Sequence, residues 1–588
     1  MKNKYLVVIS LLFLVSILLY GCQEESGDTV SLVVPPVEGP AVGDSGSTAH
    51  IDQPGGLFVY TQNLGSTPQD VYFIFTNTGA SNITPATEVS SASSMSYKEK
   101  VNNQSNLQKN LTELQQQYLI EYTNERGMRI KDSPLATQFN ANPPKFGDMV
   151  EKSKSFVDVP PPLYADTTGD TLNFMNESTS DLIAATLRLQ IVTDSKTVNL
   201  WVANDSWTGC SKANCMTQAM VQAFGDKFLI SGTSNDIWDW ISSVYGAPWG
   251  THAVPNLIDS SISSQIDILF FDISGDNSTT GGILGFFWAK DNYKNTGTSS
   301  IPYSNQRLMF YIDSVLTATP EGGTWEITDE WPAEMVSTLS HEFQHMINFY
   351  QKNVVRTNNV SSETWINEMA SMVAEDLIAD KLGIDGPRGV TYNDGTAGSS
   401  GNTNGRLPLY NGFSNLPLTT WLTGSNVLIS YAMNYSFGAY IVRNFGGAEL
   451  MQKITQSTFT GTDAIDNALS DLGFSETFST ILKKWGASVL RSDLTSNTSG
   501  YQYNTGSFIT STFGSDTHNL GSINLFNFDY GTQSGPLLYS PASLVSYGGH
   551  YSTSNTFVLI GQNLTGEFSK KIEMPSGISL SVVTKNSN

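Results

Sequence analysis

Short apolar runs between turn-forming residues predict β-strands in three stretches of the chain. Near the start, residues 57–60 and 71–75 are apolar runs that Gly, Asn and Ser residues separate, a pattern typical of strands. From about Leu187 the runs become more regular and predict five strands, at residues 187–192, 198–202, 266–271, 283–288 and 308–312. From about Gly500 short runs return, such as 523–528 and 579–583.

Apolar residues spaced three or four apart predict helices between and after these strands. The first such helix is predicted from the spacing of Leu107, Leu111, Leu114 and Tyr118, and it is expected to end at Gly127. A second is expected at residues 216–224. After Trp331 the pattern is largely helical to about Leu490. The elements together predict a multidomain α+β protein.

The 588 residues exceed what one compact core accommodates, so several domains are expected. The changes of pattern predict a β-rich domain with a helical excursion at 51–194, a central domain at 195–499 and an all-β domain at 500–588. For 51–194 the pattern does not distinguish a stable domain from a propeptide. Residues 22–50 are rich in Pro, Gly, Ser and acids, which predicts a flexible tether.

The first 21 residues have the pattern of an export signal. Lys2 and Lys4 precede an almost wholly apolar run at 5–20, which is too short for an ordinary bilayer span. The run ends Leu-Tyr-Gly-Cys22, which resembles a bacterial lipobox, so we expect cleavage before Cys22 and lipidation of its thiol. An ordinary signal peptide or a lone membrane anchor is the alternative. The lipoprotein interpretation places the protein in a bacterial cell envelope, at the outer membrane or cell surface, on the periplasmic or extracellular face.

Composition excludes one class of partner and agrees with export. The chain has 54 acidic and 31 basic residues and a formal net charge of −23, so no general electrostatic attraction to nucleic acid is expected. The acidity is also what keeps many secreted proteins in solution. Besides Cys22 there are two cysteines, and their spacing predicts a small disulfide between Cys210 and Cys215.

One predicted helix, at 331–351, carries the residues of a metal site. His341, Glu342 and His345 form the pattern His-Glu-x-x-His. Four residues turn a helix by about 400°, so both imidazoles face one side, one turn apart. From there both can bind one ion at about 2.0–2.1 Å, and Glu342 can reach a water on that ion. The alternative is two ordinary helix histidines held by hydrogen bonds.

A third ligand is predicted on the next helix. Glu368 follows His345 by 23 positions within a second helical pattern, which Ser361 or Ser362 can cap. Two helices joined by such a loop can pack antiparallel and converge on one ion. Catalytic zinc normally has three protein ligands and one position for water, so His341, His345 and Glu368 complete a predicted zinc site.

These motifs resemble those of the gluzincins, in which the third zinc ligand is the Glu of an Asn-Glu pair one helix after His-Glu-x-x-His. Here that pair is Asn367-Glu368. The wider context, Ser-His-Glu-Phe-Gln-His-Met at 340–346 with the preceding strand at 310–313 and the helices that follow, is similar to the hyicolysin family of secreted bacterial metallopeptidases. The similarity covers about residues 195–495. It implies a core with a β-rich upper half and a helical lower half.

The resemblance also implies a reaction. A zinc-bound water would attack a peptide bond while Glu342 takes its proton. Tyr435, in Tyr-Ser-Phe-Gly, matches the position at which gluzincins often place an oxyanion donor. The alternative is that Tyr435 is a packing aromatic. Tyr431 and Tyr440 are the other candidate donors.

Two features depart from related families. Met372 stands where thermolysin-like enzymes have the Asp that orients the first His, and the aminopeptidase signature Gly-x-Met-Glu-Asn is absent, which favours internal bonds.

Two further interpretations concern calcium and the remaining histidines. Asp272, Asp276 and Asn277 are candidate calcium ligands, although the pattern favours a polar hairpin loop, because no full ligand series is present. The other histidines have no ligand partner at useful spacing and are expected in loops: His50, His252, His518 and His550.

The sequence therefore predicts a lipid-anchored zinc endopeptidase that acts on proteins or peptides. Two alternatives stay open. One is a surface adhesin or binding lipoprotein with an inactive protease domain, and the other is a zinc hydrolase of non-peptide amides or esters.

Overall fold

The computed structural model describes residues 36–43, 46–51, 53–91, 112–144, 165–178, 180–193, 195–295, 301, 303–356 and 360–587. Its strands are β1 Pro36–Glu38, β2 Ser47–Ile51, β3 Gly56–Asn63, β4 Gln69–Asn77, β5 Glu88–Ser91, β6 Arg129–Ile130, β7 Thr171–Met175, β8 Leu182–Val192, β9 Thr197–Ala203, β10 Gln265–Phe271, β11 Gly282–Ile283, β12 Gly285–Phe287, β13 Met309–Asp313, β14 Ile509–Phe513, β15 Asp516–Leu520, β16 Asp529–Tyr530, β17 Gln533–Ser534, β18 Leu538–Tyr539, β19 Ser554–Leu564, β20 Glu567–Met574 and β21 Ile578–Asn586.

Helices occupy the predicted regions at 216–224 and 331–490, whereas four were not predicted, at 134–141, 237–245, 314–317 and 541–547, the last within the part expected to be all-β. The helices are α1 Glu113–Arg126, α2 Pro134–Ala141, α3 Gln218–Phe228, α4 Ile237–Tyr245, α5 Ser314–Thr317, α6 Glu330–Asn348, α7 Thr364–Leu382, α8 Leu407–Phe413, α9 Val427–Asn444, α10 Ala448–Gln456, α11 Gly461–Asp471, α12 Phe478–Leu490 and α13 Pro541–Tyr547. A π-helical segment, Phe349–Val354, directly continues α6. Within the described residues, no helix is long and apolar enough to cross a membrane.

A six-stranded sheet forms the upper half of the central region, in the order β12-β13-β10-β9-β8-β7. The strands β9, β10 and β13 are parallel and almost wholly buried, because helices and loops cover both faces. β12 is antiparallel and lies at the edge. Four of the five strands predicted between residues 187 and 312 belong here, and the fifth, 283–288, belongs in part: β12 joins this sheet, whereas Ile283 lies in β11, which pairs with β6 in a separate sheet.

The helical half packs against one face of this sheet. Phe343 of α6 contacts Phe228 of α3, and Phe228 contacts Phe310 of β13. α6 and α7 pack together, and α9 packs against α7. Gly383 ends α7 in the left-handed conformation that favours glycine. The predicted cap by Ser361 or Ser362 is wrong: Glu363 is the N-cap and makes no side-chain cap. The two serines instead bond Asn353 and Asn348 of the preceding helical segment.

The first and last parts of the chain form one β-sandwich. One sheet has the order β1-β3-β20-β5 and the other β18-β19-β4-β21-β2. Phe58, Phe73 and Phe568 are buried between them. The two β domains expected at 51–194 and 500–588 are therefore not separate, because neither set of strands can cover its own apolar face. The central strand β4, which comes from the first part, lies between β19 and β21 from the last.

Three further boundaries differ from prediction. The tether expected at 22–50 includes β1 and β2, which pair with β3 and β21. β7 and β8, assigned to the first domain, belong to the central sheet. Residues 523–528 form a short 3-10 turn, Leu525–Asn527, rather than a strand, whereas 579–583 lies within β21. The predicted signal peptide and Cys22 lie outside the described residues.

Local features of the central region agree with the sequence. A disulfide joins Cys210 and Cys215, as predicted. Gly127 ends α1, whose N-cap Thr112 makes a capping box with Gln115. After α1 the chain crosses the helical half through β6 and α2 before it enters the central sheet at β7.

Candidate metal centre

His341 and His345 of α6 and Glu368 of α7 converge in the core. All three side chains are buried, and one ligand atom from each lies within 4.8 Å of the other two. Glu368 Oε2 is 3.1 Å from His341 Nε2 and 3.6 Å from His345 Nε2. The packing of α6 against α7 thus brings together the three residues that the sequence singles out as ligands.

This geometry fits a zinc ion. Tetrahedral coordination with bonds of about 2.0–2.1 Å places ligand atoms about 3.3–3.5 Å apart, close to the two distances from Glu368. The charges agree as well. Burial raises the pKa of Glu368 and the two imidazoles lower it, so its value falls to about 2. Burial lowers the pKa of His345, but Glu368 raises it overall. A cation at this position satisfies the carboxylate and both imidazoles together.

Glu342 lies beside the ligands and has no ordinary hydrogen bond. It is fully buried, and neither carboxylate oxygen has a hydrogen bond of ordinary geometry among the described residues, although the Phe287 backbone amide lowers its pKa through a weaker interaction. Burial raises the pKa of Glu342 well above its usual value, and the carboxylates of Asp132 and Glu368 raise it further. A buried, unpartnered carboxylate is costly unless an ion or water satisfies it, which agrees with a metal-bound water at this position.

Glu375 of α7 orients the first ligand. His341 Nδ1 is 2.8 Å from Glu375 Oε1, so an Nδ1–H donates to the carboxylate and Nε2 is left for a metal. Ser337 and Lys131 also contact Glu375, with Lys131 Nζ 2.5 Å from Oε2. On the other ligand, Ser371 Oγ lies 3.1 Å from His345 Nδ1.

The sequence did not identify Glu375, although a signal was present. Met372 occupies the position where an orienting Asp was sought, one turn after Glu368. Glu375 lies seven residues after Glu368, which is two turns along the same helix face. A second carboxylate at that spacing is the pattern that would have found it.

We expect Glu375→Gln to weaken zinc binding about 10–100-fold, because it removes the charge that orients His341 and raises its basicity. Competition with a chromogenic chelator measures this affinity. The control is Asp380→Asn on the same helix, whose carboxylate bonds Asn519 instead. Equal zinc affinity in Glu375→Gln and the unchanged chain would contradict the orienting role.

The three candidate oxyanion tyrosines of α9 have different surroundings. All are buried. The Tyr431 ring centroid is 6.5 Å from that of His341, and the carboxylates of Glu368, Asp132 and Glu342 contribute to its raised pKa, after burial. Tyr435 instead lies among Asp376, Arg443 and Arg388, and the Tyr440 hydroxyl donates to the Gly500 carbonyl at 2.8 Å.

Tyr435 is therefore not the tyrosine of α9 that lies nearest the metal ligands. Tyr435 lies one helical turn beyond Tyr431, beside the buried Arg443–Asp376 ion pair, where Arg443 Nη1 is 2.8 Å from Asp376 Oδ2. The Tyr-x-x-Gly pattern locates the helix but not the turn that meets the metal centre. That turn depends on how α9 packs against α7.

The residues considered for calcium have protein partners. Lys212 Nζ is 2.8 Å from Asp272 Oδ2, and Asn277 Oδ1 accepts from the Ala213 amide. Among the described His, Cys, Asp and Glu side chains, the group at α6 and α7 is the one cluster with metal-site geometry. Of the remaining histidines, His50 lies in β2 and His518 in β15, rather than in loops.

Comparison with known proteins agrees with this site. A family model described as Peptidase M30 matches residues 179–585. The chain belongs to the Peptidase M30 family. The resemblance to hyicolysins is thereby confirmed, and this membership in a family of zinc metallopeptidases supports peptide hydrolysis and a zinc cofactor. The chain is 26% identical over 278 residues to the neutral metalloprotease ShpI of Staphylococcus hyicus, covering 47% of this chain and 52% of that protein. It thus spans about half the length of that relative.

Solved structures give weaker similarities. An M1 zinc metallopeptidase from Deinococcus radiodurans is 10% identical, with a TM-score of 0.25, covering 52% of this M30 chain and 57% of that chain. An aminopeptidase N family protein from Idiomarina loihiensis is 12% identical, with a TM-score of 0.26 and coverage of 54% and 46%.

Proposed function

We propose that this M30 protein is a lipid-anchored zinc endopeptidase of a bacterial cell envelope. The observation that carries the proposal is the buried group of His341, His345 and Glu368 with the unpartnered carboxylate of Glu342 beside it. Three ligands leave one position for water, which distinguishes a catalytic zinc site from a closed structural one.

The residues around the metal have separate roles in peptide hydrolysis. When bound, zinc lowers the pKa of its water toward about 7 and polarises the scissile carbonyl. Glu342 takes the proton of the attacking water and delivers it to the leaving amine. Glu375 holds His341 in place throughout.

Tyr431 is the proposed oxyanion donor. It is the tyrosine of α9 whose surroundings include Glu342 and Glu368, and Arg406 lies over its ring, 5.0 Å from the centroid. Burial keeps the hydroxyl protonated, so it can donate a hydrogen bond to a developing oxyanion.

Two finer parts of the proposal rest on the sequence. The positive start, the apolar run at 5–20 and the Leu-Tyr-Gly-Cys22 ending support export and lipidation. The absence of Gly-x-Met-Glu-Asn supports cleavage of internal bonds. A peptide library with blocked and free N-termini tests the second point, because an endopeptidase cleaves both and an aminopeptidase only the free one.

The metal site is tested by zinc analysis. We expect about one zinc per purified chain, and we expect His345→Ala and Glu368→Ala to lose it, because two remaining ligands do not hold zinc tightly. Casein hydrolysis should stop on chelation and return when zinc is added.

The matched control for zinc loss is His252→Ala, a histidine whose Nε2 is 2.9 Å from the Ile258 carbonyl. Zinc retained by the double variant His345→Ala, Glu368→Ala at the level of the unchanged chain would reject the site.

A further inference from the structure

The cavity at the metal centre is nearly full. Its water-accessible volume is about 20 Å³, room for about one water molecule. A peptide does not fit. The cavity is lined by residues of α6 and α7 on one side and, on the other, by Asp132 before α2 and by Thr137, Asn140 and Ala141 of α2. We define residues 128–144 as the crossing segment.

Asn140 of the crossing segment bonds the edge of the central sheet. Its Nδ2 donates to the Phe287 carbonyl at 2.7 Å, and its Oδ1 accepts from the Ala289 amide at 2.9 Å. These two backbone groups belong to the edge strand β12 and the residues after it. An extended peptide can pair only with free groups of this kind on a sheet edge. The Asn140 side chain occupies one donor and one acceptor there.

The residues before α2 contact the catalytic groups themselves. The Lys131 amide donates to the Tyr431 hydroxyl at 3.2 Å. Lys131 Nζ lies 2.5 Å from Glu375 and 2.8 Å from Glu334, and all of these contacts are buried or nearly so. Asp132 is buried in the cavity lining, and its Oδ1 has no hydrogen-bond partner.

The crossing segment is not a strand of the central sheet, although it bonds the edge of that sheet through Asn140. Its strand β6 joins only the two-residue strand β11, separate from the six-stranded sheet. The sandwich strands β3 and β4 pair with β20, β19 and β21, so they are part of the folded protein. An inhibitory role is therefore considered for the crossing segment alone and not for the whole of residues 51–194.

We infer that the crossing segment is an intramolecular inhibitor that occupies the substrate cleft, with Asn140 on the sheet edge and Lys131 and Asp132 at the catalytic groups. The inference rests on the proposed protease function. Hydrolysis of a protein substrate requires the segment to leave the cleft, while the zinc ligands and Glu342 stay where they are.

The experiment compares Asn140→Ala with the unchanged chain. The variant should hydrolyse casein about tenfold faster, because it loses the two hydrogen bonds that hold the segment on the sheet edge. A synthetic peptide of residues 128–144 should then inhibit the variant by raising KM without changing kcat. The control is Gln138→Ala, an exposed residue of α2, which should behave as the unchanged chain.

A second readout is independent of proteolysis. The rate at which a soluble chelator removes zinc should rise about tenfold in Asn140→Ala, since the segment covers the metal site. Casein hydrolysis equal to or below that of the unchanged chain, in an Asn140→Ala variant that keeps zinc and the same melting temperature, would overturn the inhibitory role. If no form hydrolyses casein, the proposed function fails, and the zinc-removal rate alone tests whether the crossing segment covers the metal site. Faster removal supports this covering role, and an unchanged rate rejects it.

Discussion

Glu342→Gln is expected to reduce casein hydrolysis by about 10²–10⁴-fold while one zinc per chain is retained. The amide has nearly the size of the carboxylate but cannot take a proton from the attacking water. It is not a ligand, because His341, His345 and Glu368 supply the three protein ligand atoms. Zinc content and kcat measured on one preparation therefore separate the base from the ligands.

The test of Glu342 needs a matched control and an open cleft. Glu326→Gln makes the same chemical change at an exposed position before α6 and should leave hydrolysis unchanged. The comparison is made in the unchanged chain and also in the Asn140→Ala background, where the cleft is expected to be accessible. Full hydrolysis by Glu342→Gln in both backgrounds would rule out its role as the base.

The second large effect is expected from Tyr431→Phe. Loss of one oxyanion donor typically costs about 2.7–4 kcal/mol in the transition state, or about 10²–10³ in kcat. The change should fall on kcat rather than KM, because the developing charge is absent from the bound substrate. Steady-state kinetics on a fluorogenic peptide measures both constants.

Tyr435→Phe is the matched control, since it removes the same hydroxyl one turn along α9. Its hydroxyl lies beside Asp376 and Arg443 and not at the metal centre, so kcat should change little. A loss of kcat in Tyr435→Phe with full activity in Tyr431→Phe would restore the original assignment and contradict the one made from the structure.

The predicted fold was accurate where local pattern decides the outcome. The apolar stripe of α6 and the buried runs of β10 and β13 produced the expected elements, because each periodicity is compatible with one backbone conformation. The predictions failed at domain boundaries. Nothing local in β4 indicates that its neighbours are β19 and β21, which lie nearly 500 residues away.

The sequence by itself predicted the proposed metal ligands and base, because helix geometry places His341 and His345 on one face and Glu342 next to them. It also determined the family that these motifs resemble. Only the tertiary structure shows that Glu375 bonds His341, that Tyr431 rather than Tyr435 lies near the site, and that residues of 128–144 line the cavity beside it. The reason is physical: these features depend on contacts between chain segments remote in sequence, and helical spacing specifies a face but not the partner packed against it.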